Sequence, residues 1–150
     1  MWYQNSAEGP IGSTLVDTLS RLEATLNPEA GFIPRDAPVF LVGFSQGGSV
    51  SLSFATLRFN WISGVASLSG ILFDDRTLPG PIGVLKGKPA LIIHGKADSV
   101  WPMGKGREAV RRLKAVGAIV DFMEHEGAHM APPEAWARVV DWVRTSLLAN

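Results

Sequence analysis

Val39-Phe40-Leu41-Val42-Gly43-Phe44-Ser45-Gln46-Gly47-Gly48 is the stretch whose reading decides the fold. Its first six residues are apolar or glycine and too few for a helix, as expected of a strand covered on both faces. The run ends in Gly-x-Ser-x-Gly, and the residues after it are compatible with a helix. That succession is the sequence form of a nucleophile elbow, a strained strand-to-helix turn. Gly43 and Gly47 leave room for the turn, and Gly48 leaves room for the helix to pack on the strand. The plainer alternative is an ordinary glycine-rich turn.

Outward from this stretch, the chain alternates helix and strand. On its N-terminal side, residues 1–12 read as a loop. Leu15, Leu19, Leu22 and Leu26 fall on one helical face, with Ser13 or Thr14 as cap and Asn27-Pro28 as stop. Residues 27–38 form a proline-rich connection. On the C-terminal side, Gln46 to Phe59 is a helix of small residues. Trp61 to Leu68 is a second strand, 71–88 is irregular, and Pro89 to His94 is a third strand. Gly104 to Val116 is an amphipathic helix capped by Gly117. Ala118 to Met123 is a fourth strand. Pro132-Pro133 opens a last helix whose apolar face is Trp136, Val139, Val140, Val143 and Leu147. The pattern predicts a single α/β domain with a mostly parallel sheet of about four strands and right-handed crossovers.

The 150 residues suit one domain with a real core, and 46% are apolar. Fourteen basic and fourteen acidic residues balance, which gives no electrostatic case for nucleic acid. There is no cysteine, so disulfides, thiolate metal sites and a cysteine nucleophile are excluded. No signal peptide pattern and no membrane span are visible, and a cytoplasmic protein is expected.

In parallel sheets functional residues gather past the carboxyl ends of the strands. Ser45 follows the first strand, Asp98 the third and His129 the fourth. A serine hydroxyl needs a base within hydrogen-bond reach, and that base needs an orienting group. The order Ser45, Asp98, His129 is that of an α/β-hydrolase triad. Asp74 and Asp75 are alternatives to Asp98. His94, at a buried strand end, reads as a structural histidine, and His125 is less favoured than His129. The segment His125-Glu126-Gly127-Ala128-His129 matches the His-Glu-x-x-His pattern of zinc proteases. That pattern needs a helix, which a preceding strand, Gly127 and Pro132-Pro133 disfavour. No metal and no cofactor are expected.

Gly43-Phe44-Ser45-Gln46-Gly47-Gly48, Leu68-Ser69-Gly70, His94-Gly95-x-x-Asp98-x-x-x-Pro102 and Gly127-Ala128-His129 together resemble the carboxylesterase/phospholipase branch of the α/β-hydrolases, which includes acyl-protein thioesterases. Trp2-Tyr3 resembles the aromatic pair that precedes the helix before the elbow there. The resemblance covers nearly the whole chain. It implies a serine hydrolase of carboxylic esters or thioesters, with Ser45 as nucleophile, His129 as general base and acid, Asp98 as its orienting group, and the Gln46 N–H as an oxyanion donor. Ile71, Leu72, Phe73, Trp101 and Met130 follow strand ends and either line an apolar acyl pocket or cover the core. The expected partner is a small ester with an apolar acyl part.

One departure concerns the N-terminus. The family's first third carries several strands and a His-Gly-x-Gly loop that gives the second oxyanion donor, and no such loop precedes Ser45 here. The elbow strand is therefore expected to leave an apolar sheet edge exposed. Loss of one donor costs on the order of 10²–10³ in rate. A fragment, a start at an internal methionine, and a homodimer completed through that edge all fit. The alternatives in function are a dienelactone-hydrolase-like enzyme and a non-catalytic chain that binds or assembles.

Overall fold

The computed structural model describes residues 5–6, 9–10 and 12–149; Trp2 and Tyr3 lie outside them. Two short strands, β1 (Asn5–Ser6) and β2 (Gly9–Pro10), pair antiparallel. Helix α1 (Gly12–Leu26) leads to the main sheet, β3 (Phe40–Phe44), β4 (Gly64–Leu68), β5 (Pro89–Gly95) and β6 (Ile119–His125). Between them come α2 (Gln46–Leu57) and α3 (Met103–Ala115), and α4 (Pro133–Leu148) follows. The four strands are all parallel and lie in chain order, β3-β4-β5-β6. This is the α/β architecture expected, with small shifts at the element boundaries. Trp61 belongs to a 3-10 turn before β4, and β6 continues to His125. Helix α1 begins at Gly12, so Ser13 and Thr14 sit in its first turn instead of capping it.

Alternation along the central strands sorts the core into two layers. Val65, Ala90 and Ile92 pack with Leu15 and Leu19 of α1, Val50 and Phe54 of α2, and Leu113 of α3. Ala66, Leu68, Leu91 and Ile93 face the other way, against Ala135, Val139 and Trp142 of α4. Strand β4 is buried throughout. Helix α2 is buried along most of its length. Two of its hydroxyls are satisfied within the helix, Ser53 Oγ donating to Ser49 O (2.8 Å) and Thr56 Oγ1 to Ser53 O (2.9 Å), which makes small polar residues tolerable there.

Two sequence expectations are corrected. Strand β3 is an edge strand, and Val42 and Phe44 are exposed; only β4 pairs with it among the described residues. The apolar edge is as expected, but burial on both faces is not. In α4 the buried stripe is Ala135, Val139, Trp142 and Ser146, while Trp136, Val140 and Leu147 are exposed. Trp142 fixes the rotation of the helix, because its ring meets Phe40 edge-on at 5.6 Å.

Candidate active site

The register sets Phe44 beside Leu68, Leu68 beside Ile93, and Gly95 beside His125. The loops that follow these residues therefore leave the sheet at one end. Ser45 turns the chain from β3 into α2 at φ 54, ψ −120, a conformation that costs a residue with a Cβ. Its N–H donates to Leu68 O at 2.8 Å, so the turn is pinned to the neighbouring strand. The turn also requires glycine at position 43, where a Cβ would stand 2.3 Å from the Gly47 carbonyl group.

Asp98 lies in the loop after β5 with its side chain fully buried. Its Oδ1 accepts the N–H groups of Val100 (2.9 Å) and Trp101 (2.8 Å). Its Oδ2 faces His129 Nδ1 at 2.8 Å. Burial pushes the carboxyl's pKa up. The Trp101 N–H, the His129 hydrogen bond and charge, and the Val100 N–H outweigh this and hold it below its ordinary value.

His129 lies in the loop after β6. Lys96 N donates to His125 O (2.7 Å) and Ala97 N to Gly127 O (3.1 Å), which ties this loop to the Asp98 loop. The far ring nitrogen, Nε2, is 2.7 Å from Ser45 Oγ. A carboxylate only accepts, so Nδ1 carries the proton, and Nε2 is left to accept the Ser45 O–H. The ring of Phe44 lies 5.2 Å from that of His129.

The rivals are occupied elsewhere. Asp74 accepts from Arg76 N, Thr77 N and Thr77 Oγ1, and Asp75 pairs with Arg112. His94 is fully buried and bonded to Trp101 O. His125 ends β6, and residues 126–132 are irregular, so the helix that the zinc pattern requires is not formed. Gln46 is the first residue of α2. Of the expected pocket residues, Trp101 and Met130 lie on the loops that carry Asp98 and His129. Leu72 and Phe73 are packed into the core, their carbonyls receiving Arg112. Sequence reasoning gave Phe44 no role beside His129 and did not see the cavity of about 400 Å³ along β3, lined by Phe40, Val42, Phe44, Gly47 and Val50. The one available signal was the period-2 spacing of Phe40, Val42 and Phe44.

A Phospholipase/Carboxylesterase family model matches residues 13–147. The chain belongs to this family. It is 33% identical over 98 residues to a probable inactive carboxylesterase of Oryza sativa, covering 65% of this chain and 39% of that protein. It is 28% identical over 123 residues to acyl-protein thioesterase 1 of Gibberella zeae, covering 79% and 52%. The chain thus spans about half, or less, of the length of these relatives. In fold it is similar to the Bacillus cereus carboxylesterase, at TM-score 0.83 and 17% identity over 96% of this chain and 68% of that one. It is also similar to Arabidopsis thaliana SOBER1, at TM-score 0.77 and 24% identity over 97% and 73%. No helix among the described residues is long and apolar enough to cross a membrane.

Proposed function

We propose that this chain hydrolyses carboxylic esters or thioesters through an acyl-enzyme on Ser45. The observation that carries the reading is the unbroken relay from Asp98 Oδ2 to His129 Nδ1 (2.8 Å) and from His129 Nε2 to Ser45 Oγ (2.7 Å). Ser45 Oγ attacks the acyl carbonyl carbon as its proton passes to His129 Nε2. The tetrahedral intermediate collapses, and the leaving alcohol or thiol takes that proton. Water then attacks the acyl-enzyme with His129 again as base, releasing the acid and restoring Ser45. Asp98 stays ionised and holds the imidazolium that forms in each half-reaction. The Gln46 N–H, at the positive end of α2, is the donor assigned to the oxyanion.

The substrate is a small ester with an apolar acyl part, met by Trp101 and Met130 at the mouth of the site. Of the relatives named above, the acyl-protein thioesterase agrees with this class, while the Oryza sativa relative is named a probable inactive carboxylesterase. A fluorophosphonate probe tests the reading. Labelling that maps to Ser45 and vanishes in Ser45→Ala is expected. A well-folded protein that the probe leaves untouched refutes it and favours a chain that binds without turnover.

A further inference from the structure

His94 takes no part in the relay, yet its surroundings are specific. It lies on β5, between β4 and β6, where it is opposite Glu124 in register. Its side chain is fully buried. The ring packs so tightly on α3 that a Cβ at Gly106 would stand 2.8 Å from it. Nε2 is 2.7 Å from the Trp101 carbonyl oxygen and 3.6 Å from Asp98 Oδ2. A carbonyl only accepts, so Nε2 carries the proton and Nδ1 is an acceptor. That Nδ1 is buried with no hydrogen-bond partner among the described residues.

An orphaned buried acceptor is unfavourable. Leucine would fill the same space without it. The side chain is therefore explained by what Nε2 does and not by packing. Trp101 is held from both sides: its N–H goes to Asp98 Oδ1 at 2.8 Å and its carbonyl to His94. The Asp98–Trp101 turn is thereby referenced to a central strand of the sheet.

We propose that His94 is a positioning residue, which through Trp101 fixes the direction in which Asp98 presents Oδ2 to His129. The inference rests on the triad reading above, and its test separates the two. His94→Leu removes the donor and keeps the bulk, and His94→Ala serves the same comparison where the leucine does not fold. His94→Gln restores an N–H near the place of Nε2. Two quantities are measured in each folded variant: the tautomer of His129 by ¹⁵N NMR of its ring, and the rate of fluorophosphonate labelling at Ser45. The wild type and His94→Gln are expected to hold His129 as the Nδ1–H tautomer. His94→Leu is expected to shift it toward Nε2–H and to slow labelling by about 10- to 100-fold, as a misplaced catalytic group does. An unchanged tautomer in His94→Leu overturns the proposal, as does a His94→Gln variant as impaired as the leucine. A wild type that the probe does not label refutes the triad as a working site, while the tautomer comparison still decides the role of His94.

Discussion

Gly95→Ala is a sharp test of the site, because it changes none of Ser45, Asp98 and His129 and leaves in place the Gly95 carbonyl that accepts the Asp98 N–H at 3.2 Å. Gly95 ends β5 and is paired to His125 of β6, so its Cα is held by the sheet. A Cβ there would stand 2.3 Å from Ala128 O and 2.4 Å from Gly127 O. Restoring an ordinary contact moves that backbone by about 1 Å, since the strand cannot yield. Ala128 precedes His129 directly. A shift of about that size takes His129 Nε2 from 2.7 Å to roughly 3.7 Å from Ser45 Oγ, beyond hydrogen-bond reach. The expected loss in labelling rate at Ser45 is on the order of 10²-fold. The expected loss of stability is about 1–3 kcal/mol, typical of overpacking. The rate is followed with a fluorophosphonate probe and the stability by thermal unfolding. An alanine variant that labels at the wild-type rate refutes the claim that this close approach sets the position of His129.

Two further outcomes follow from the packing and the electrostatics. Trp142→Ala should cost about 3–5 kcal/mol, as for other buried large side chains, whereas Trp136→Ala, at a residue 45% exposed, should stay within about 0.5 kcal/mol; denaturant unfolding of both compares them, and a reversed order refutes the observed rotation of α4. The depressed Asp98 carboxyl binds a proton less readily in the folded state than in the unfolded one. Its stabilisation is therefore complete above its ordinary value of about 3.9 and is lost as pH falls through the folded value. Thermal melts of wild type and Asp98→Asn below about pH 5 should converge as acid is added, and a gap that widens with acid contradicts the assignment.

The grouping of Ser45, Asp98 and His129 was more legible in the sequence than the packing, and the reason is physical. Each of the three lies shortly after a run that reads as a strand, and a parallel sheet brings such ends together. The rotation of α4 was not legible, because apolar residues at 136, 139, 140, 142, 143 and 147 satisfy a helical period on more than one face. Contact between Trp142 and Phe40 decides it, and that contact joins residues far apart in the chain. The exposure of β3 was obscured likewise. A continuous apolar run reads the same in a central and in an edge strand, and the difference lies in what pairs beside it. The burial of His94 could be read from the apolar strand that it ends, but its carbonyl partner is set by the fold of the 96–102 loop, which no periodicity encodes.

The order of the sheet has a consequence for how the site is assembled. Each strand lies beside its predecessor in the chain, so the sheet can grow one unit at a time without threading a strand between two that are already paired. Ser45 leaves one edge of that sheet, and His129 follows the strand at the other edge, 84 residues later. The loop after β6 must reach back across the sheet to close the relay. The contact between Ser45 and His129 therefore exists only where both edges of the sheet are in place.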